Sequence, residues 1–292
     1  MNNLTMPLGE TRKRVELWFE EYSGKSISLG REDVRARLHE YAAAGRDISV
    51  LPTPWRIEDE FAFSLELKRA HTKRVVTLAE DIASSLRLSG DDATIAFVVG
   101  YLHDVGRFPQ LRKHGSFNDT LTENHSMMCI DALHEEGVDK WFAPPDFEII
   151  KASILNHNVR KLPAIDDERV LTHAKIIRDA DKLDILYFIT QNRGKDFFFM
   201  EQAQEPHDFS EELIAKVLAH ESLSYSLLKS RCDRVLFDIG LIYDVNFAWS
   251  FDIIKQNSYT EKLLSFYIGQ HPAISDIIKS TNTYIDERCT KT

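Results

Sequence analysis

The stretch YLHDVGR, residues 101–107, places a histidine beside an aspartate at the end of an apolar run. His103 follows Ala96 and Val99 at spacings of three and four residues, which puts all three on one face of a predicted helix. Asp104 is turned by about 100° from His103 on such a helix, so its carboxylate can flank the same point. The stretch therefore predicts a helical core with a polar pair directed into it.

Four more polar residues lie on apolar stripes of the same kind: His71, His125, His157 and Asp181. Taken alone, each is most simply a core histidine with one hydrogen bond, or an aspartate that caps a helix. A buried polar group without a partner costs on the order of 1–3 kcal/mol, and a shared metal ion removes that cost for all of them together. The pattern therefore favours a metal site, and histidine with carboxylate ligands favours Fe, Mn, Zn, Ni or Co.

Helical periodicity dominates the sequence, and no run of alternating apolar and polar residues predicts a β-strand. We therefore expect an all-α protein with a helical core over 56–190. The N-terminal extension, 1–55, suggests two amphipathic helices that end before the prolines of LPTPW, residues 51–55. The C-terminal part, 191–292, begins with an irregular insert over 191–210 and continues as helices packed on the core.

Two breaks interrupt the predicted core. Residues 106–120 contain two glycines and a proline, which predicts an irregular loop that could cover the site. His114 lies in this loop. A contact between His114 and the substrate is one interpretation, and it is weaker than a purely structural role. The Pro-Pro pair within 141–147 predicts a second break, after which Asp146 is a suitable helix N-cap.

The composition excludes several classes of protein. The 292 residues include 36 Lys and Arg against 46 Asp and Glu, a net charge of −10, which argues against binding duplex nucleic acid through its phosphates. Three widely separated cysteines, Cys129, Cys232 and Cys289, suggest neither a disulfide framework nor a thiolate zinc site. The N-terminus lacks the apolar stretch of a signal peptide, and no apolar run approaches the ~20 residues of a membrane span. We therefore expect a cytoplasmic protein.

The order of the candidate ligands resembles the HD-domain superfamily of metal-dependent phosphohydrolases, which is named for its adjacent His-Asp pair. The added His125 and His157 match the six-ligand variant that holds two metal ions. Five local strings carry the resemblance: AHTKRV, YLHDVGR, ENHS, ILNHN and IIRDADKLDIL. The resemblance covers roughly residues 57–190, and it implies an HD-domain helical bundle with additional helices at the N- and C-termini.

The resemblance also implies a cofactor, namely two divalent transition metal ions (Fe, Mn, Ni, Co or Zn). The implied ligands are His71, His103 and Asp181 for one ion, and His125 and His157 for the other, with Asp104 as the bridge. Arg107 stands three residues after Asp104, where dinuclear relatives often carry a Lys or Arg that faces the substrate phosphate.

Three further residues near the implied ligands are weaker candidates for a phosphate contact. Lys182 follows Asp181 directly, and a surface lysine is its alternative interpretation. Asn118 and Asp119 are weaker still, because an Asx-turn explains them equally well. The catalytic residues that the resemblance implies are therefore Asp104, Arg107 and Lys182.

The implied reaction is hydrolysis of a phosphomonoester or phosphodiester bond, in a nucleotide or similar small metabolite, by a metal-bridged hydroxide. Two alternatives stay open. One is an HD-domain di-iron oxygenase, which uses oxygen to cleave C–C or C–P bonds. The other is a non-catalytic metal-bound sensing module. We expect a small phosphorylated substrate as the partner, with no nucleic acid duplex and no membrane, and a homodimer stays open.

Overall fold

The structure is a computed structural model that describes residues 8–47, 55, 57–191, 208–267 and 271–290. Helices account for most of these residues, and none of them lies in a β-strand. The predicted all-α fold is therefore confirmed. Most of the predicted boundary at 51–55 and of the predicted insert at 191–210 lies outside the described residues.

The α-helices follow one another along the chain, with a few short 3-10 helices between them. They are α1 (Leu8–Ala43), α2 (Glu58–Ser85), α3 (Gly90–Leu102), α4 (Arg107–His114), α5 (His125–Glu135), α6 (Pro144–Asn156), α7 (Glu168–Gln191), α8 (Glu211–Leu218), α9 (Arg231–Gly240), α10 (Ala248–Gln256), α11 (Tyr259–Leu264) and α12 (Ala273–Asp286). No helix in the described part of the chain combines the length and apolar character needed to cross a bilayer.

The chain divides into two compact units. The first unit comprises Met1–Asn158 and Ile165–Ile177, and the second comprises Val159–Ala164 and Arg178–Thr292. The first part of α7 therefore belongs to the first unit, and the remainder belongs to the second.

Helix α3 lies at the centre of the first unit. Every residue from Thr94 to Leu102 is buried, so this helix is enclosed around its whole circumference. Aromatic side chains pack beside it, with the Phe19 ring centroid 5.3 Å from that of Tyr101 and 6.1 Å from that of Phe108. This packing fixes the end of α3, where the His-Asp pair follows.

The prediction of two helices in the first 50 residues is wrong, because α1 runs unbroken from Leu8 to Ala43. Its buried face continues through small residues, Ser23, Ser26 and Gly30, which interrupt the apolar stripe. A Cβ at Gly30 would overlap the ring of Phe61, so the glycine permits a close approach of α2. The apolar pattern did not reveal this buried face of α1, because small residues line it rather than large apolar ones.

The prediction of an irregular loop over 106–120 is also wrong in its first half. Residues 107–114 form α4, which ends at Gly115 with a φ of +65°. Pro109 is compatible with this helix because it lies in the first turn, where backbone N–H groups have no partner within the helix. The remaining segment, residues 115–124, contains no helix.

Asp146 is not the N-cap that the sequence predicts. Helix α6 begins one turn earlier with Pro144, and Ala143 is its N-cap. Proline is well suited to the first position of a helix, and Asp146 then lies in the first turn, where a carboxylate interacts favourably with the helix dipole. The predicted break before α6 is present.

The second unit contains the last part of α7 and helices α8 to α12, as the C-terminal periodicity predicts. Leu213 and Val217, which form one predicted stripe, are both buried. The unit has its own apolar core, to which Leu236, Ile254, Leu264 and Ile277 contribute fully buried side chains.

Candidate metal centre

Five of the six predicted ligands lie together in the first unit, and all five are buried: His71, His103, Asp104, His125 and His157. Three of the histidines lie at helix ends. His103 follows α3, His157 follows α6, and His125 is the first residue of α5. His71 lies within α2. The site is thus built from the ends of three helices and the middle of a fourth.

The turn after α3 is held against the start of α5 by close packing. The Gly106 N–H donates to Cys129 Sγ at 3.1 Å, and the Cys129 thiol donates to the His103 carbonyl oxygen at 3.0 Å. A Cβ at Gly106 would collide with the His125 carbonyl oxygen and lie 2.5 Å from the Cys129 nitrogen. Burial raises the pKa of the Cys129 thiol, which therefore keeps its proton and can donate it. These contacts fix the His-Asp pair relative to His125.

Asp104 stands between two groups of histidines, and its side chain is 4% exposed. Its Oδ2 lies 3.6 Å from His71 Nε2 and 3.9 Å from His103 Nε2. Its Oδ1 lies 3.3 Å from His125 Nε2 and 3.9 Å from His157 Nε2. One carboxylate oxygen thus faces each pair of histidines, and within each group the ligand atoms lie within 4.8 Å of one another. This arrangement suits a carboxylate that bridges two ions.

The hydrogen bonds of three histidines define their tautomers. The Nδ1 of His103 lies 2.8 Å from the Gly100 carbonyl oxygen, and that of His157 lies 2.6 Å from the Ile154 carbonyl oxygen. The Nδ1 of His125 lies 2.7 Å from Oδ2 of Asp119. A carbonyl or carboxylate oxygen only accepts, so each Nδ1 must carry the proton. In the neutral rings, each Nε2 therefore presents a lone pair toward Asp104.

The resulting cluster of acceptors suits a cation. His125 Nε2 and His157 Nε2 are 2.9 Å apart, so two lone pairs face each other at hydrogen-bond distance. Both also face a carboxylate oxygen, which adds a third acceptor. With neutral rings these acceptors repel one another, and either a second proton on one ring or a bound cation removes the repulsion. Imidazole nitrogen and carboxylate oxygen, oriented through hydrogen bonds at the far ring nitrogen, are ligands that suit a divalent transition metal.

Two basic side chains add positive charge beside Asp104. Lys68 Nζ lies 2.9 Å from its Oδ2, and Arg107 Nε lies 3.5 Å from its Oδ1. Burial alone would raise the pKa of Asp104, but Lys68, the neighbouring histidines and Arg107 hold it well below its ordinary value. Asp104 is therefore an ionised carboxylate, as a metal ligand must be.

The two weaker candidates of the segment 115–124 have different roles in the structure. Asn118 forms an Asx-turn, in which its Oδ1 accepts the Thr120 N–H at 2.9 Å, so the structural interpretation fits it. Asp119 instead contacts the site, because its Oδ2 accepts from His125 Nδ1. Arg107 is the residue predicted to face the substrate phosphate, and its Nη1 donates to Asp119 at 3.1 Å and to the Phe117 carbonyl oxygen at 2.6 Å.

The sixth predicted ligand, Asp181, is half-buried on the part of α7 that belongs to the second unit. Its neighbour Lys182 is 7% exposed, and Lys182 Nζ lies 2.8 Å from Asp244 Oδ2. The surface-lysine interpretation of Lys182 is therefore wrong. The ligand role of Asp181 and the phosphate contact of Lys182 stay predictions.

The residues beside Asp181 are tied to the turn that precedes α10. Arg178 also pairs with Asp244, and Asp179 accepts the backbone N–H groups of Asn246 at 2.9 Å and Phe247 at 3.0 Å. Burial raises the pKa of Asp179 to about 6, against the effect of these hydrogen bonds.

Two residues of the site escaped the sequence analysis. Lys68 precedes His71 by three residues in α2, so the helical spacing that selected His71 could have selected Lys68 as well. Gln110 is fully buried, and its Nε2 donates to Asp119 Oδ1 at 2.8 Å. No sequence pattern indicated Gln110, because its hydrogen-bond partner Asp119 lies in a segment without helical periodicity.

Comparison with known proteins gives one match. The family model described as HD domain matches residues 69–186, a range that contains all six predicted ligands. No curated protein and no solved structure matches the chain.

Proposed function

We propose that this chain is a metal-dependent phosphohydrolase of the HD-domain superfamily with two metal ions, because the family model described as HD domain matches residues 69–186. The observation that carries the proposal is the 2.9 Å contact between His125 Nε2 and His157 Nε2, with Asp104 facing both. A cluster of ionised and lone-pair acceptors at this depth is suited to cations. When bound, two divalent ions lower the pKa of a water molecule and neutralise charge on phosphate oxygens.

The proposed ligands divide into two positions that share Asp104. The first position comprises His71, His103 and Asp104, and the second comprises Asp104, His125 and His157. We assign Asp181 to the first position from the sequence, where it ends the ordered set of ligands. The proposed substrate is a phosphomonoester or phosphodiester of a nucleotide or a similar small metabolite.

Three basic residues are proposed to contact the substrate phosphate. Lys68 is supported best, because its ammonium lies 2.9 Å from Asp104 and its side chain is 22% exposed, so it can reach from the ligands toward solvent. Arg107 is proposed as a second contact, made through Nη2 because Nη1 is engaged with Asp119 and Phe117. Lys182 is the third, on the sequence argument alone. A guanidinium beside an ammonium suits the non-bridging oxygens of a phosphate.

The test is a hydrolysis assay under controlled oxygen. The protein is purified anaerobically, its metal content is measured, and a panel of phosphate esters is offered with Mn²⁺, Fe²⁺, Co²⁺ or Ni²⁺. We expect release of phosphate or of a phosphomonoester in the absence of oxygen. Oxygen consumption with cleavage of a C–C or C–P bond would instead identify a di-iron oxygenase, and metal binding without turnover would identify a sensing module.

The matched variants are Asp104→Ala and His134→Ala. Asp104→Ala should lower activity by more than about 100-fold and reduce the bound metal, because both positions lose their shared ligand. His134 lies on α5 with His125, but its side chain is 49% exposed and pairs with Asp139. His134→Ala should therefore retain activity and metal. Full activity in Asp104→Ala would refute the site.

A further inference from the structure

Three histidines of the site differ in what holds their rings. In His103 and His157, Nδ1 donates to a backbone carbonyl of the preceding helix turn, Gly100 and Ile154 respectively. In His125, Nδ1 donates to a side chain, the carboxylate of Asp119. A carbonyl three residues earlier is fixed by its own helix, whereas Asp119 lies in the segment 115–124, between α4 and α5.

Asp119 is itself held in place by donors from three directions. Its Oδ1 accepts from Arg107 Nη1 at 3.1 Å and from Gln110 Nε2 at 2.8 Å, both on α4. The same oxygen lies 3.3 Å from the backbone nitrogen of His125. Asn158 Nδ2 approaches Oδ2 at 3.4 Å. The carboxylate therefore has little freedom to rotate away from the imidazole.

Gln110 connects this carboxylate to the rest of the segment. Its amide is fully buried, and Nε2 also donates to Thr122 Oγ1 at 2.8 Å and to the Glu123 carbonyl oxygen at 3.0 Å. The position of Asp119 thus depends on the packing of the whole segment against α4. His103 Nδ1 donates instead to the Gly100 carbonyl oxygen.

A carboxylate on the far nitrogen of a metal-binding imidazole has two effects. It fixes the ring plane and the tautomer, and it makes the opposite nitrogen a stronger electron donor to the metal. Both oxygens of Asp119 act as acceptors, Oδ2 toward His125 Nδ1 and Oδ1 toward Arg107 Nη1 and Gln110 Nε2. In the first metal position, His103 Nδ1 donates to a backbone carbonyl oxygen rather than to a carboxylate of this segment.

We propose that Asp119 is a positioning residue that controls the occupancy of the second metal position, formed by Asp104, His125 and His157. In the first position, the His103 ring is held by the Gly100 carbonyl oxygen of its own helix, so binding of this ion should depend less on Asp119. The inference rests on the proposed dinuclear site, and it predicts that the two ions are lost separately. The protein can therefore exist in a one-metal form set by the conformation of this segment.

The test is a Co²⁺ titration of the metal-free full chain, followed by equilibrium dialysis and by the visible absorption of bound cobalt. The wild type should bind two equivalents. Asp119→Ala should bind one equivalent with unchanged affinity and the other about 10–100-fold more weakly, the usual effect of removing such a carboxylate. Asp119→Asn keeps an acceptor oxygen but lacks the charge, so it should restore part of the loss.

The control is Asn118→Ala, which removes the neighbouring Asx-turn without touching His125. It should bind both equivalents as the wild type does. If Asp119→Ala retained both affinities, or lost both equally, the positioning role would be refuted. If the folded wild type bound no cobalt, the proposed dinuclear site itself would fail, which is a different result. If Asp119→Ala does not fold, Asp119→Asn decides the question. Weaker binding of one cobalt equivalent would support the positioning role, and equal weakening of both would refute it.

Discussion

The two units bury charged groups in opposite ways. In the second unit, every member of the cluster formed by Arg178, Asp179, Lys182 and Asp244 has a protein partner of opposite charge or a backbone donor. In the first unit, the cluster formed by Asp104, His125 and His157 brings acceptors against acceptors. Both clusters are buried and close-packed, so burial alone does not distinguish a structural network from a functional site. The two clusters differ in whether the groups that face each other are complementary in charge and hydrogen bonding.

The difference has an energetic consequence. The second cluster is complete in the polypeptide itself, so removal of one member leaves a buried charge without compensation. In the proposed function the first cluster is completed by cations, so we expect its contribution to the free energy of unfolding to depend on the metal concentration. Mutations in the two clusters should therefore respond differently to a chelator.

The largest expected effect on stability is in the second cluster. Asp244→Ala leaves the buried side chains of Arg178 and Lys182 without their shared counter-ion. We expect the free energy of unfolding to fall by about 3–5 kcal/mol, the cost typical of breaking a buried ion pair. Urea denaturation measures this loss, which should be the same with chelator and with saturating Mn²⁺. If Mn²⁺ restored the lost free energy of unfolding, the contrast between the two clusters would be contradicted.

Each metal ion should stabilise the wild type by a smaller amount. With free Mn²⁺ at 100 times the dissociation constant, binding to the folded state alone adds about 2.7 kcal/mol per site. His157→Leu should reduce this gain, because the second position loses a ligand. In chelator, the free energy of unfolding of His157→Leu should stay close to that of the wild type, because the substitution removes one acceptor from a group of acceptors that repel one another. A large destabilisation in chelator would show that the cluster is stable without cations.

The packing of the His-Asp turn predicts a third effect. Gly106→Ala forces a Cβ against the backbone of His125 and Cys129, so we expect a loss of about 1–3 kcal/mol in unfolding free energy and weaker metal binding. Gly24→Ala is the control, because a Cβ there meets nothing within 4 Å. In the interior of α1, it should stabilise by about 1 kcal/mol. Equal effects of the two variants would rule out this packing role of Gly106.

The smallest expected effect is a dependence on pH. His173 on α7 is buried, and its Nε2 lies 3.0 Å from Asp92. Burial lowers the pKa of His173 below 6.5, even though Asp92 opposes the shift. The unfolded chain then binds the proton more readily, so the stability present above about pH 6.5 is lost as the pH falls. His173→Gln should flatten the slope of unfolding free energy between pH 7.5 and 5.5. An unchanged slope would exclude His173 as its source.

Much of the fold was predictable because it depends on helical periodicity. The stripes that contain His71, His103 and His157 are real, and the helices that carry them follow the predicted order. The errors occurred where packing uses small residues or where a turn residue is compatible with a helix. Ser23, Ser26 and Gly30 continue a buried face that contains little apolar surface, and Pro109 lies in a first turn.

The site was predictable in its ligands but not in their support. Ligands sit on apolar stripes because they project inward, so their spacing is visible in the sequence. Lys68 and Gln110 act through contacts with residues 36 and 9 positions away, respectively. Pairings at such distances follow from tertiary packing, for which one sequence carries no local signal.

Anomalous diffraction from crystals grown with Mn²⁺ addresses the central proposal, that the acceptor cluster around Asp104 holds cations. Data collected near the manganese edge locate the ions without any assumption about activity. We expect two anomalous peaks that share Asp104, one within bonding distance of His71 and His103 Nε2 and the other beside His125 and His157 Nε2. A map with no peak at these nitrogens, from crystals in which the four histidines keep their places, would contradict this expectation.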